Sequence, residues 1–128
     1  MKLLIMNQSI VLFCIVALLG LSCNKEGVGG KASISGAVMH HEVAIPSANV
    51  YIKYGANAFP GFDLEQYDDQ TTASATDASY SFTNLYKGEY FIYCTGYDAS
   101  FMEEVLGGIP VEIKKKKENI EIDIPVKE

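Results

Sequence analysis

The sequence has no arginine and no tryptophan, and it contains two histidines and three cysteines among its 128 residues. Sixteen acidic residues outnumber ten lysines, so the formal net charge is −6 at pH 7. An acidic chain without a basic face that carries interleaved aromatic residues is a poor nucleic-acid binder. We therefore expect no nucleic-acid partner.

The first 22 residues are typical of a signal peptide. Lys2 supplies a positive charge, and residues 10–21, IVLFCIVALLGL, form an apolar run of 12 residues. A run of this length fits a signal-peptide core and is shorter than the roughly 18 residues that cross a bilayer. The run ends at Gly20, Leu21, Ser22 and Cys23, which resemble a bacterial lipobox with Cys23 as the lipidated residue. The alternative is an ordinary signal peptide, or a short membrane anchor, in which Cys23 has no role.

Lipidation at Cys23 divides the chain into three predicted parts. Residues 1–22 are a lipoprotein signal peptide, residues 23–31 a lipidated flexible tether rich in glycine, and residues 32–128 a folded domain. Two or three acyl chains hold a protein firmly on a membrane, whereas one chain holds it marginally. No aspartate follows Cys23, and the resemblance to Gram-negative lipoproteins then implies the outer membrane. The sequence leaves open whether the domain faces the periplasm or the cell surface.

The cysteines exclude an intramolecular disulfide in the mature domain. Cys14 leaves with the signal peptide and Cys23 takes the lipid, so Cys94 has no partner. A packed hydrophobic core must therefore stabilise the domain.

Seven segments of the predicted domain indicate strands. They are residues 33–40, 49–54, 71–76, 79–85, 89–97, 109–114 and 119–126. Five show the alternation that is typical of half-buried strands, whereas residues 71–76 are β-branched or small and residues 109–114 are a weaker candidate. No helical segment separates them, so the pattern predicts an all-β fold, a seven-stranded antiparallel β-sandwich. Pro125 cannot donate a backbone hydrogen bond, which predicts an edge or a strand end at this residue.

Two stretches carry a family resemblance. AIPSANVYIK at residues 44–53 and TDASYSFTNLYKGEYFIYCTGYD at residues 76–98 resemble the carboxypeptidase regulatory-like domain of Bacteroidetes surface proteins. The resemblance covers residues 33–126 and implies a transthyretin-like (prealbumin-like) Greek key. It implies no particular ligand, because such sandwiches are attached to peptidases, transporters and adhesins.

One departure from the family lies at the hairpin of Asp77 and Ala78, where the family has Asp-Gly. A type I′ turn needs positive φ, which costs alanine about 1 kcal/mol. We therefore expect a different turn at these residues.

The sequence predicts no catalytic residue, no enzyme activity and no cofactor. His40 and His41 are adjacent, and neighbours in a strand point to opposite faces, so they are interpreted as strand-end surface residues that cannot share a substrate or metal. Cys94 lies on the apolar side of a central strand, which favours a buried inert thiol over a nucleophile. The transthyretin-like hydrolase of urate breakdown requires arginine, which this chain lacks.

Two charged segments are weak candidates for binding. The long segment 55–70 contains four acids that could supply oxygen ligands to Ca²⁺, although a solvated acidic loop is the favoured interpretation: Asp63, Glu65, Asp68 and Asp69. Four lysines at residues 114–117 could contact anionic lipid headgroups, although such a segment is usually a soluble turn.

Aromatic residues carry the functional hypotheses. If the alternate residues of strand 89–97 face the core, Phe91 and Tyr93 face outward and Tyr51 can join them in a binding patch. The alternative is that the loop containing Phe59, Phe62 and Tyr67 covers this face.

The favoured function is a non-catalytic accessory or structural lipoprotein of the cell envelope that binds another envelope protein. The runner-up is a glycan-binding surface lipoprotein that uses the outward aromatic rings. The absence of tryptophan weighs against glycan binding.

Overall fold

The computed structural model describes residues 24–128, so the predicted signal peptide and Cys23 lie outside the described part of the chain. These residues form nine strands and a short 3₁₀ helix, Leu64–Gln66. The strands are β1 Val28–His40, β2 Val43–Ala44, β3 Asn49–Tyr54, β4 Asp69–Thr72, β5 Ser79–Leu85, β6 Gly88–Asp98, β7 Glu103–Ile113, β8 Asn119–Glu121 and β9 Ile124–Pro125.

The strands form two sheets, which confirms the predicted all-β architecture. β1 is the centre of a five-stranded sheet, in which it pairs with β2, β5, β8 and β9. The second sheet has four strands in the order β4-β3-β6-β7, and all its pairings are antiparallel.

The prediction of a wholly antiparallel sandwich is wrong for two pairings, because β8 and β9 run parallel to β1. After β7 the chain reverses at residues 114–118 and crosses to the other sheet, and it then runs in the same direction as β1.

The structure has nine strands rather than the predicted seven, for two local reasons. β2 is a two-residue strand that the alternation pattern does not indicate. The predicted strand at residues 119–126 is divided into β8 and β9, because the Asp123 carboxylate accepts a hydrogen bond from the backbone N–H of Ala37 at 3.0 Å. A side chain thus takes the place of one backbone contact between the segment and β1.

β7 is longer than the predicted strand 109–114, because Gly107 and Gly108 continue the pairing with β6 instead of ending it. A Cβ atom at Gly108 would lie 2.6 Å from the Phe91 ring, and one at Gly107 would overlap the Pro125 carbonyl. These glycines therefore allow close approach by neighbouring chain segments. Pro125 is the last residue of β9, as the sequence predicts.

The hydrophobic core lies between the sheets. Fully or almost fully buried side chains come from β1, β3, β5, β6 and β9, among them Ile34, Val38, Val50, Ile52, Tyr80, Phe82, Tyr90, Ile92, Cys94 and Ile124. No buried side-chain nitrogen or oxygen within residues 24–128 lacks a hydrogen-bond partner.

Ala78 adopts a left-handed conformation with φ of 59°, so the expectation of a turn without positive φ is wrong. Its methyl group is fully buried in the core. Its N–H donates to the Ser74 carbonyl at 3.1 Å, and its carbonyl accepts from the Val38 N–H at 3.1 Å. Burial and these two hydrogen bonds offset the conformational cost of positive φ.

The sandwich has two distinct ends. β6 has 11 residues and at about 3.3 Å per residue spans roughly 33 Å. We call the end with Gly27 and the start of β6 the N-terminal end, because Gly27 donates its N–H to the Tyr90 hydroxyl at 2.9 Å. We call the opposite end, with His40 and the β6–β7 turn at residues 98–103, the hairpin end.

Part of the predicted tether belongs to the folded domain. β1 begins at Val28, which pairs with Leu85, and the Gly27 carbonyl accepts from the Tyr86 N–H at 2.8 Å. Residues 28–31 therefore belong to β1, in which Val28 pairs with Leu85 and the register is irregular as far as Ala32.

Among the residues that the structure describes, no helix has the length and apolar character needed to cross a membrane.

Candidate functional site

His40 is the last residue of β1 and is buried, with 2% of its surface exposed. It follows Ile34 and Val38 on the core-facing side of the strand, as the alternation predicts. The interpretation of His40 as a surface residue is therefore wrong. The hairpin end covers it, and the Phe101 ring lies edge-on to the imidazole at a centroid distance of 5.9 Å.

Both imidazole nitrogens of His40 contact carboxylates. Nδ1 lies 2.7 Å from Oδ2 of buried Asp98, and Nε2 lies 2.8 Å from Oε2 of Glu128. The hydrogen bond to Asp98 is the largest factor that raises the pKa of His40 above its ordinary value, while burial opposes it. The two contacts fit a protonated imidazolium that donates from both nitrogens.

The Asp98 carboxylate is held by the turn that follows β6. Its Oδ1 atom accepts hydrogen bonds from the backbone N–H groups of Ser100 at 2.8 Å and Phe101 at 3.4 Å. The pKa of Asp98 is lowered, first by the hydrogen bond from His40 and also by those from the backbone. Asp98 is therefore a fixed anionic acceptor that orients the imidazole of His40.

His41 lies on the same side of the molecule as His40, which contradicts the expectation that the two cannot act together. β1 ends at His40, and His41 has φ of 54°, so strand alternation does not apply to it. The two imidazole centroids are 4.4 Å apart. One potential ligand atom from each of His40, His41 and Glu128 lies within 4.8 Å of the others.

Apolar side chains surround the hairpin end and are open to solvent. Tyr97 is 52% exposed, Phe101 57% and Met102 78%. Met102 also has φ of 53°, an unfavourable conformation for a residue with a side chain. An open cleft of about 460 Å³ lies beside Tyr97 and Leu106. The hairpin end thus combines exposed apolar surface with a cluster of titratable side chains.

The predicted aromatic patch is not exposed. Tyr51, Phe91 and Tyr93 do lie together on the outer face of the four-stranded sheet, but their exposures are 7%, 6% and 3%. The segment 55–68, with Phe59 and Tyr67, covers them, in agreement with the alternative prediction of a covering loop. Phe59 lies 5.9 Å from Phe91 and 5.4 Å from Tyr93, measured between ring centroids.

Hydrogen bonds hold the covering segment in place. The Tyr67 hydroxyl donates to the Gly61 carbonyl at 2.9 Å, and its ring stacks on Tyr93 at 5.6 Å. Burial raises the pKa of Tyr67 to about 12. The Asp68 backbone N–H donates to the Ile52 carbonyl at 2.9 Å. The patch is therefore an internal aromatic cluster rather than a free binding surface.

Three of the four acids of the calcium hypothesis have separate local partners. Asp63 accepts from the Glu65 N–H at the start of the 3₁₀ helix, and Asp69 accepts from the Gln70 N–H. Asp68 accepts from the Tyr54 N–H at 2.7 Å and lies 3.5 Å from Lys53 Nζ. These acids do not form a cluster of ligand atoms in the described residues.

Cys94 is fully buried in the core, and burial raises the pKa of its thiol to about 12. This environment agrees with an inert thiol, because the thiolate is the reactive form. The lysines at residues 114–117 are exposed in the turn between β7 and β8. The pairing of Gly88 with Ile113 puts this turn at the N-terminal end.

No model of a known protein family matches the sequence, and no characterised protein is significantly similar to it. The geometry of the two ends is therefore the basis for a functional proposal.

Sequence reasoning missed the cluster of His40, Asp98 and Glu128 because its members are far apart in the chain. One signal was present, since the alternation puts His40 on the core-facing side, where a histidine needs a polar partner. The identity of that partner depends on the pairing of β1 with β9 and on the position of the β6–β7 turn.

Proposed function

We propose that the chain is a non-catalytic, lipid-anchored module of the cell envelope, related in fold to carboxypeptidase regulatory-like domains, that binds another envelope protein. The proposed anchor is Cys23 in the outer membrane. The proposed binding surface is the hairpin end, formed by Tyr97, Phe101, Met102 and Leu106.

The exposure of these apolar side chains is the observation that carries the proposal. Trp, Tyr, Met and other large apolar residues supply much of the energy of protein interfaces when a partner covers them. Met102 supports the same interpretation, because strained backbone conformations concentrate at functional sites and Met102 is both strained and 78% exposed.

The position of the proposed anchor also supports binding at the hairpin end. Four peptide units separate Cys23 from Gly27, which limits the distance between their Cα atoms to about 14 Å. Gly27 is bonded to Tyr90 and Tyr86 at the N-terminal end. A lipid on Cys23 therefore keeps that end near the membrane and directs the hairpin end away from it.

The lysine turn fits the same orientation. Residues 114–117 lie at the N-terminal end, where they can contact anionic headgroups once a lipid holds the domain at the surface. An acyl anchor together with a basic patch binds a membrane more firmly than either alone.

Glycan binding by Tyr51, Phe91 and Tyr93 is not proposed, because their rings are covered by the chain itself. A glycan would have to displace the segment 55–68 and break its hydrogen bonds.

Site-specific crosslinking in cells tests the proposal. A photoreactive amino acid in place of Met102 should capture an envelope protein, and Phe101→Ala in the same chain should reduce that capture at least about tenfold. The matched control is Phe62→Ala, which removes an equally large ring, 69% exposed, from the covering segment. Equal loss from both variants, or no crosslinked protein, would refute binding at the hairpin end.

The anchor is tested separately with Cys23→Ala. We expect this variant to lose incorporation of labelled palmitate and to leave the membrane fraction. Palmitate incorporation that persists in the variant would refute lipidation at Cys23. Protease treatment of intact cells would then show which face of the outer membrane carries the domain.

A further inference from the structure

The side chains of His40, His41 and Glu128 meet at the hairpin end. They are the one group of three or more potential metal ligands that converge within residues 24–128. His40 is buried, whereas His41 is exposed and Glu128 is 58% exposed. The cluster therefore contains one buried metal-ligand atom, on His40, and two that solvent can reach, on His41 and Glu128.

Asp98 prepares His40 to act as a ligand. Histidine ligands in metalloproteins usually donate the second ring N–H to a carboxylate, which fixes the ring and makes the other nitrogen a better donor. In this protein Nδ1 of His40 lies 2.7 Å from Asp98. Nε2 is therefore the nitrogen whose lone pair can bind a metal, and it points toward Glu128. Asp98 is itself held by two backbone N–H groups.

The distances suit a small tetrahedral ion. Metal–ligand bonds of 2.0–2.1 Å that meet at tetrahedral angles keep donor atoms about 3.3 Å apart. The Nε2 atom of His40 and Oε2 of Glu128 are 2.8 Å apart, and the widest separation in the cluster is at most 4.8 Å. Rotation of the exposed His41 and Glu128 side chains can bring the separations between the donor atoms to about 3.3 Å.

We propose that His40, His41 and Glu128 bind a divalent transition-metal ion, for which Zn²⁺ is the best fit. Two imidazoles and one carboxylate are a typical zinc ligand set that leaves a fourth position for water or for a donor from another molecule. Ca²⁺ and Mg²⁺ fit this ligand set poorly, because both ions favour oxygen ligands over imidazole nitrogen. The inference does not depend on a partner protein or on the lipid anchor.

Binding replaces a proton by a metal ion. When His40 is protonated, Nε2 gives its proton to solvent, the imidazole lone pair bonds the ion, and the ion releases one bound water for each protein ligand that it gains. Glu128 exchanges its hydrogen bond for a metal–oxygen bond. No other bond in the protein breaks, and the hydrogen bond from Nδ1 to Asp98 remains.

Cobalt(II) provides a direct test, because its visible absorption reports tetrahedral nitrogen and oxygen ligands and its near-ultraviolet charge-transfer bands report thiolates. The full chain in detergent, without a polyhistidine tag, is titrated with Co²⁺ and then with Zn²⁺. We expect visible bands without thiolate bands, and their displacement by one equivalent of Zn²⁺.

Variants locate the ion. His41→Ala and Glu128→Gln change exposed side chains, so the fold should persist, and the loss of one ligand should weaken Co²⁺ binding at least about tenfold in each variant. Asp98→Asn should weaken it by about 10- to 100-fold. Glu121→Gln, an exposed acid in β8, is the matched control and should bind as the parent chain does.

Three results would overturn the inference. They are the absence of visible bands at millimolar Co²⁺, the appearance of thiolate bands, and unchanged binding by His41→Ala with a native circular dichroism spectrum. The first and third would leave His40, Asp98 and Glu128 as a structural ion-pair cluster that joins β1 to the β6–β7 turn.

Discussion

The aromatic cluster under the segment 55–68 should contribute strongly to stability, and Phe91→Ala tests this contribution. Phe91 is 6% exposed and contacts the Phe59 ring. The matched control is Phe62→Ala, because Phe62 belongs to the same covering segment but is 69% exposed. The two variants remove the same atoms from different environments.

The expected loss follows from burial. Replacing a buried phenylalanine by alanine costs about 3–5 kcal/mol of unfolding free energy. Phe91 lies beneath a loop rather than between the two sheets, and a loop relaxes more readily than a sheet. We therefore expect Phe91→Ala to lower the unfolding free energy by about 3 kcal/mol. Replacement of exposed Phe62 should cost less than about 1 kcal/mol.

Urea denaturation followed by circular dichroism measures the difference. With a slope of about 1.5 kcal/mol per molar urea, Phe91→Ala should lower the midpoint by about 2 M. Limited proteolysis should cleave the segment 55–68 faster in this variant. Equal midpoints for the two variants would refute the conclusion that the segment covers the sheet in solution.

Three further predictions concern other parts of the molecule. Burial raises the Cys94 pKa to about 12, whereas an unfolded cysteine has a pKa of about 8.5. The contribution of the protonated thiol to the unfolding free energy is complete below pH 8.5. It is lost as pH rises toward 12, by up to about 1.4 kcal/mol per pH unit relative to Cys94→Ala. A difference between the urea midpoints of the two chains that stays constant from pH 8 to 10 would contradict this. Met102→Gly should raise the unfolding free energy by about 0.5–1 kcal/mol, because glycine adopts φ of 53° without strain, and a lower thermal midpoint than that of the parent chain would show that no strain is relieved. Replacing the lysines at residues 114–117 by glutamine in the lipidated chain should weaken its partitioning onto phosphatidylglycerol vesicles by about fivefold per lysine, from about 1 kcal/mol for each charge near the surface. An unchanged partition coefficient would show that this turn does not face the membrane.

Local patterns were sufficient to predict the two-sheet architecture and much of its core. The alternation in residues 49–54 and 89–97 assigns Val50, Ile52 and Ile92 to one side, and all three are fully buried. Alternation determines this because successive side chains in a strand point to opposite faces regardless of what the strand pairs with.

Strand ends and pairings were predicted less well. β7 continues through Gly107 and Gly108, although two glycines usually interrupt a strand, because β6 pairs along its full length. β1 begins at Val28 because β5 reaches it. In each case a partner distant in sequence supplies hydrogen bonds that outweigh the local preference of the residues.

The sequence by itself determined the all-β fold, the buried face of each main strand and the lack of a disulfide in residues 24–128, since these depend on residue type and local periodicity. Tertiary structure decided which surfaces are free. It covered Tyr51, Phe91 and Tyr93 with a loop and paired Asp63, Asp68 and Asp69 with separate backbone N–H groups. It also joined His40 to Asp98 and Glu128 across separations of 58 and 88 residues. A functional site depends on distances between atoms in space, and sequence separation does not limit those distances once two sheets have packed together.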